Sequence, residues 1–185
     1  MGDNPNYTDI NLPIIERCKK GERKAFQELY NLYAKAMFNI SVRILNNSDE
    51  AEEVLQDSFL KAFQKIESYD KNYSFGVWLK RIVINRSLDV LKKRKLNFVP
   101  IDEANYKEEY EEEESIYDVE AIKKCISELP DGYRTVLTLF LFEDFSHKEI
   151  GELLNISEGT SKSQYNRAKK KLIELVKQKT VSHDR

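Results

Sequence analysis

The stretch from Phe145 to Leu175 constrains the fold more than any other part of this 185-residue chain. Ser146 is followed three residues later by Glu149, the pattern of a capping box, which predicts that a helix begins there. A second helix is predicted from about residue 158 to residue 177, and Ser157 can cap its first turn. Most of the basic residues of this second helix fall outside its apolar stripe, so the pattern predicts a helix-turn-helix with a basic second helix.

A basic helix of this kind fits the major groove of duplex DNA, where Arg, Lys, Asn and Gln side chains reach base edges. An ordinary amphipathic hairpin with a solvated basic face would give a similar pattern. Both interpretations stand on this stretch alone, and the rest of the chain has to separate them.

Charge is segregated along the chain, although the formal net charge is only -2. Residues 80–95 hold seven Lys or Arg and one acid, and residues 162–179 hold the same numbers. Residues 102–120 hold ten acids and one Lys. Two cationic surfaces on either side of an anionic connector favour a nucleic-acid partner more strongly than the net charge does.

Apolar residues recur at helical spacing almost throughout, and Gly and Pro are few, so the sequence predicts an all-α protein of two small helical domains. Residues 1–96 form the first predicted domain. Residues 97–116, where periodicity fails and acids dominate, are predicted to be a flexible linker. Residues 117–179 form a four-helix domain that ends in the helix-turn-helix, and residues 180–185 form a predicted disordered tail.

The first domain is predicted to begin with a short helix and a long one that meet at Gly21. A third helix from about Asp49 to Ser68 presents a polar outward face, whose plain interpretation is solvation. A loop at residues 69–75 (YDKNYSF) is rich in rings, of which Phe75 is expected in the core. It precedes a basic helix from Gly76 to about Lys95, and rings beside cations are typical of single-strand binding surfaces.

Other functions find little support in the sequence. Cys18 and Cys125 lie far apart in helical patterns, which predicts buried thiols rather than a redox or zinc site. A metal-dependent nuclease using Glu111–Glu114 would need carboxylates in a fixed converging geometry, which a linker does not provide. We find no nucleophile triad and no phosphate-binding glycine loop, so we expect no enzyme, no cofactor and no metal. With neither an export signal nor a membrane span in the sequence, we expect a cytoplasmic protein.

Two parts of the chain resemble conserved blocks of one family. The first domain resembles the second conserved region of sigma-70-type initiation factors in AEEVLQDSFLKAFQKI (Ala51–Ile66) and WLKRIVINRSLDVLKKRK (Trp78–Lys95). The second domain resembles the fourth region in LPDGYRTVLTLFLFEDFSHKEIGELLNISEGTSKSQYNRAKKKL (Leu129–Leu172). With a short acidic linker and no third domain between them, the chain resembles an extracytoplasmic-function (ECF) sigma factor from about Ile10 to Val176.

The resemblance implies that the chain binds core RNA polymerase and directs it to promoters, reading the minus-35 element as duplex and opening the minus-10 element. The implied polymerase-binding residues are Glu53, Gln56, Asp57, Leu60 and Lys61. The implied contacts to minus-10 DNA, including capture of a flipped base, are Tyr69, Asp70, Lys71, Asn72, Tyr73, Ser74, Lys80, Arg81, Asn85 and Arg86. The implied minus-35 contacts are Lys162, Ser163, Asn166 and Arg167 at base edges, with Thr160, Gln164 and Lys170 at or near phosphates.

Two departures from the family pattern bear on these roles. Asp70-Lys71 stands where relatives usually have an Arg-Gly pair, and Ser161 stands where Val is usual after Gly159-Thr160. Many relatives are restrained by an anti-sigma partner, but nothing in this sequence identifies one. A repressor or activator that acts without polymerase would share the helix-turn-helix, yet it gives no reason for an aromatic loop beside a basic helix.

Overall fold

The computed structural model describes residues 9–94 and 119–181, with side chains described as far as residue 179. The chain divides into two compact units, Met1–Arg94 and Lys95–Arg185. All regular structure in the described ranges is helical, which confirms the all-α prediction. The predicted linker at residues 97–116 lies outside the described residues.

Four α-helices and one short 3₁₀ turn build the described part of the first unit, residues 9–94. They are α1 (Leu12–Lys19), α2 (Arg23–Leu45), α3 (Ser48–Gln64), the 3₁₀ turn (Ile66–Ser68) and α4 (Phe75–Lys93). The junction between α1 and α2 falls at Gly21, whose φ of 79° is in the left-handed region. α2 ends at Asn46 in the same region, and the Asn47 side chain caps α3 by accepting from the backbone N–H groups of Asp49 and Glu50.

The core of the first unit lies between α2, α3 and α4, which all pack on one another. The apolar face predicted for α2 is its core face, since Leu29, Met37, Ile40 and Ile44 are buried. Near the start of α4, Phe75 is completely buried, as predicted, among the rings of Tyr33, Tyr69 and Trp78 at centroid distances of 5.4–5.5 Å. This ring cluster supports the loop that precedes α4.

Four helices build the described part of the second unit. They are α5 (Val119–Ser127), α6 (Asp131–Leu141), α7 (His147–Leu154) and α8 (Glu158–Val181). Ile126, Leu129, Leu137 and Ala168 form a buried cluster that draws on three of these helices and on the loop after α5. α8 runs through residues 180 and 181, which the sequence had assigned to the tail, so that part of the prediction is wrong.

The turn between α7 and α8 is held by local backbone and cap geometry. The predicted capping box is present, because the Ser146 hydroxyl accepts from the Glu149 N–H and the Glu149 carboxylate accepts from the Ser146 N–H. α7 ends at Asn155 with a φ of 57°, and the Ile156 N–H donates to the Gly151 carbonyl at 2.9 Å. These bonds set the angle at which α8 leaves α7.

Candidate nucleic-acid interface

The outward side of α8 carries most of the residues that the sequence assigns to duplex DNA. Lys162, Asn166 and Lys170 are exposed, while Ser163 and Arg167 are half-buried. They recur at spacings of three and four residues, so they lie along one side of the helix. A cation, an amide and a hydroxyl on a helix surface of this kind can donate to phosphates and to base edges in the major groove.

Gln164 does not belong to this surface, and the structure does not support its predicted phosphate contact. Its side chain is 1% exposed. It is spaced three residues from Ser161 and four from Ala168, both completely buried, so all three share the face of α8 that meets the core. The sequence prediction placed Gln164 outside because glutamine is polar, whereas helical position puts it inside.

His147 and Ser161 form a link between the two helices of the motif that the sequence did not reveal. His147 Nδ1 lies 2.9 Å from the Ser161 hydroxyl. The imidazole stacks on Phe140 with centroids 4.3 Å apart and planes 12° from parallel, and its edge meets the ring of Tyr165. Burial, and then the nearby charge of Lys162, lower the pKa of His147 below its ordinary value. Ser161 is therefore a hydrogen-bonding partner of His147 across the turn of the motif.

The first turn of α8 is organised by short-range polar contacts. The Thr160 N–H donates to the Ser157 hydroxyl at 2.9 Å, and the two side-chain oxygens lie 2.8 Å apart. The Ser163 hydroxyl donates to the Thr160 carbonyl, which leaves its lone pairs for an incoming donor. Lys162 pairs with Glu158 at 2.6 Å, so a phosphate that approaches Lys162 competes with this carboxylate.

In the first unit, the outward face of α3 is as predicted. All five residues assigned to polymerase are exposed, and the apolar side chain of Leu60 is 59% exposed. The opposite face is buried through Val54, Leu55 and Phe59. A single exposed leucine is common on protein surfaces, so the exposure of Leu60 is compatible with a protein contact but does not by itself mark one.

An ion pair joins this face to α4. Arg86, assigned to DNA, pairs with Asp57, assigned to polymerase. Both side chains are partly exposed, so the pair contributes little stability. It does place the proposed polymerase surface and the basic face of α4 side by side.

The tip of the loop before α4 is exposed. Asp70, Lys71 and Asn72 face solvent, and the ring of Tyr73 is 48% exposed. The tip has its own structure, because the Asp70 carboxylate accepts from the Asn72 N–H at 3.0 Å. Lys71 pairs with Glu16 of α1 at 2.9 Å. The loop therefore offers one accessible ring and several polar groups.

Tyr69 and Ser74, at the two ends of the loop, are placed differently from its tip. Tyr69 is 4% exposed and packs on Phe75 and Trp78, so the structure does not support its predicted contact with a base. The resemblance assigns Tyr69 to DNA together with the rest of the loop, whereas in this chain its ring belongs to the core. Ser74 is the N-cap of α4, and its hydroxyl accepts from the Val77 N–H at 3.1 Å.

The exposed polar side of α4 includes Arg81 and Asn85, while Lys80 is half-buried. At the end of the helix, Arg94 pairs with Glu50 and donates to the Leu45 carbonyl at 3.0 Å. That cation is thus used to tie α4 to the junction of α2 and α3. Arg81 and Asn85, on the part of α4 nearer the loop, are exposed, and cations beside a ring are typical of single-strand binding surfaces.

The described ranges also bear on metal binding, thiol chemistry and membrane insertion. Among residues 9–94 and 119–181, no cluster of His, Cys, Asp and Glu could hold a metal ion. Glu111–Glu114 lie outside these ranges. Cys18 and Cys125 are free and buried, as predicted, and burial raises the pKa of the Cys18 thiol to about 11. No helix of the described residues has both the length and the apolar character required to cross a membrane.

The fold and these surfaces define a class, a helical DNA-binding protein in which a helix-turn-helix unit accompanies a second unit with an aromatic loop and a basic helix. Family descriptions agree with both parts. Residues 29–96 match the family described as "Sigma-70 region 2", and residues 119–172 match the family described as "Sigma-70, region 4".

Relatives extend the match along the chain. The ECF RNA polymerase sigma factor SigW of Bacillus subtilis is 33% identical over 172 residues, covering 85% of this chain and 92% of that protein. The ECF RNA polymerase sigma-E factor of Haemophilus influenzae is 28% identical over 172 residues, covering 84% and 89%. The chain belongs to the ECF sigma factors of the sigma-70 family, which direct promoter recognition and transcription initiation.

Solved structures share the fold. The sigma factor RpoE of Bartonella quintana, determined in complex with the anti-sigma factor NepR, has a TM-score of 0.55 and 24% identity, covering 83% of this chain and 98% of that one. CnrH, determined in complex with the cytosolic domain of CnrY, has a TM-score of 0.53 and 19% identity, covering 91% and 98%.

Proposed function

We propose that this sigma factor binds core RNA polymerase through α3, opens and captures the minus-10 element with the loop and α4, and reads minus-35 duplex with α8. The observation that carries the proposal is that, in the first unit, the residues assigned to polymerase and the tip of the loop before α4 are both exposed. The assigned polymerase residues are all exposed on one face of α3, and the loop tip exposes Tyr73 shortly before α4 begins.

The polymerase contact is proposed on α3 because that helix has two opposite faces with different uses. One face is buried against α2 and α4 and is needed for folding. The other carries Glu53, Gln56, Asp57 and Lys61 around the exposed Leu60. An apolar centre with a polar rim is how protein interfaces are commonly built.

The minus-10 role is proposed for the loop tip and the adjacent side of α4. Unstacking a base costs a few kcal/mol, which stacking on an exposed ring and hydrogen bonds to amides can offset. Tyr73 supplies a ring, Asn72 and Asn85 supply amides, and Arg81 supplies a cation for the backbone. Because Tyr69 is buried, we assign the stacking role to Tyr73. Asp70-Lys71 in place of the usual Arg-Gly pair makes the loop less basic than in relatives.

The minus-35 role is proposed for the outward side of α8. Lys162, Ser163, Asn166 and Arg167 would contact base edges, and Thr160 and Lys170 would contact phosphates. The orientation of α8 relative to α7 is fixed by the capping box, by the turn at Gly151 and by the contact between His147 and Ser161. Sequence readout in a groove requires such fixed donors.

The proposed partners are therefore core RNA polymerase and promoter DNA, both as duplex and as a melted strand. An anti-sigma factor is a further proposed partner, on the analogy of the Bartonella quintana protein. The division into residues 1–96, 97–116 and 117–179 stays a prediction.

The test is reconstitution of the purified chain with core polymerase and run-off transcription from a promoter library. We expect start sites that share a minus-35 and a minus-10 sequence, and permanganate-reactive thymines in the minus-10 element. A chain that binds duplex DNA but gives core polymerase no choice of start site would contradict the proposal and would favour a repressor or activator.

A further inference from the structure

Asp9, just before α1, is a buried carboxylate that the functions described so far do not use. Its side chain is 4% exposed. It lies 60 residues before Tyr69 and 66 before Phe75, yet it contacts both ends of the loop between them. A carboxylate removed from water requires hydrogen-bond donors, and the donors that Asp9 uses indicate what it does for the loop.

The contacts of Asp9 use both carboxylate oxygens. Oδ2 accepts from the Phe75 N–H at 2.6 Å and lies 3.1 Å from the Tyr69 hydroxyl. Oδ1 accepts from the Asn11 N–H at 2.8 Å. The Tyr69 hydroxyl also lies 2.5 Å from the Tyr73 carbonyl oxygen, within the loop itself. The Asp9 side chain thus contacts Tyr69, the first residue of the loop, and Phe75, the first residue of α4.

The position of the carboxylate is favourable for fixing α4. Phe75 is the first residue of that helix, where backbone N–H groups lack helical partners and the helix dipole favours negative charge. Ser74 caps the same end through the Val77 N–H. The two acceptors lie about 65 residues apart in sequence, and together they fix where α4 starts.

The same region is held by a second contact from the N-terminal segment. The Asn11 amide donates to the Tyr33 hydroxyl at 2.8 Å, and the Tyr33 ring packs on Phe75 at 5.4 Å. Residues 70–73, in contrast, are exposed. The loop is therefore clamped at its base and open at its tip.

We infer that Asp9 is a positioning residue for minus-10 capture, holding the loop in its binding geometry before DNA arrives. This inference rests on the proposed function of the loop. A loop that is ordered in advance avoids the entropic cost of ordering on binding, and it presents Tyr73 at a fixed distance from α4. Loss of the Asp9 contacts would leave the exposed groups of residues 70–73 in the chain but no longer in their binding geometry.

The test uses Asp9→Asn in the full chain assembled with core polymerase. Asn has the same shape as Asp but only one acceptor oxygen. It can therefore accept from the Phe75 N–H or from the Asn11 N–H, but no longer from each with a separate oxygen. The first measurement is binding of a single-stranded minus-10 oligonucleotide, with a matched oligonucleotide that is abasic at the captured position. The second is binding of minus-35 duplex by the same preparation, which reports on the other unit.

A matched control separates positioning from general destabilisation. Ile44→Val removes one buried methyl group from the core face of α2 in the same unit. Tyr69→Phe removes only the hydroxyl, and we expect an effect in the same direction as Asp9→Asn but smaller.

We expect Asp9→Asn to weaken minus-10 binding about tenfold, the size of one charge-assisted hydrogen bond, and to reduce discrimination against the abasic strand. Minus-35 binding should be unchanged, and Ile44→Val should keep the discrimination. The inference is overturned if Asp9→Asn discriminates like wild type or if Ile44→Val loses as much. If wild-type holoenzyme shows no preference for the intact oligonucleotide, the proposed role of the loop fails, and the inference with it.

Discussion

Gly151 on α7 lies against the backbone of the turn that leads to α8, with no room for a side chain. A Cβ there would lie 2.8 Å from the Ile156 carbonyl oxygen, a distance that real Cβ contacts do not reach. The neighbouring atom is backbone that also belongs to the turn, so it cannot move without moving α8. Glycine is required at this point by space rather than by φ.

We therefore predict that Gly151→Ala destabilises the protein by about 1 to 3 kcal/mol. The matched control is Gly159→Ala on α8, where the nearest atom to a new Cβ is the Ser157 hydroxyl at 3.7 Å. That variant should hold its stability or gain up to about 1 kcal/mol. Urea unfolding of both variants measures the difference, and equal midpoints would contradict the account of the turn.

Arg167 and Lys170 lie one turn apart on α8 but have different proposed roles. Arg167→Ala should cost about 1 to 3 kcal/mol on the specific minus-35 duplex and less on random DNA. Lys170→Ala should weaken both duplexes alike and flatten the salt dependence. Fluorescence anisotropy at several salt concentrations distinguishes the two. Equal effects of both variants on specific and random DNA would show that the base-reading assignment is wrong.

At the scale of the helices, α7 and α8 are joined by the contact between His147 and Ser161. Because the pKa of His147 is lowered from its ordinary value of 6.5, the unfolded chain binds a proton more readily than the folded one as the pH falls. The contribution of His147 to stability is present above the ordinary pKa and declines as the pH falls through the lowered one. Acid should therefore loosen this contact.

We predict that wild type loses more stability between about pH 7 and pH 5 than His147→Phe does. The Phe ring can keep the stack on Phe140 but cannot take up a proton. Absolute stabilities will differ, since the variant leaves the Ser161 hydroxyl without this partner, so the comparison is between the slopes of stability against pH. Thermal unfolding across this range is the measurement, and parallel slopes would contradict the role given to His147.

Local signals carried most of the prediction of the elements. The capping box at Ser146 and Glu149 depends on neighbours in sequence, so it could be predicted directly. Gln164 and Tyr69 were assigned to DNA by the family resemblance, whereas their burial is decided by the helices of this chain that pack on them. Asp9 was missed because its partners are 60 and 66 residues away, and no local pattern marks such a contact.

At the scale of the whole molecule, the proposed function gives the two units separate tasks, and single substitutions should separate them. Leu60→Ala removes the exposed apolar side chain at the centre of the proposed polymerase face, and we expect it to weaken core polymerase binding by about 1 to 2 kcal/mol. Because Leu60 is 59% exposed, stability should change by no more than about 0.5 kcal/mol.

Leu32→Ala is the matched control, since Leu32 on α2 is 55% exposed and has no assigned partner. It should leave polymerase affinity unchanged. Affinity capture on immobilised core polymerase measures both variants, together with minus-35 duplex binding as a check on the other unit. Equal losses for the two leucines would remove α3 as the docking face.

The central claim is that one chain reads paired bases with α8 and opens the strands with its first unit. The most direct measurement is permanganate reactivity of the minus-10 thymines with reconstituted holoenzyme on four promoters, in which each element is either intact or scrambled. The account predicts full opening only when both elements are intact, and no opening without core polymerase. Opening that is indifferent to the minus-10 sequence, or that persists when both elements are scrambled, would contradict it.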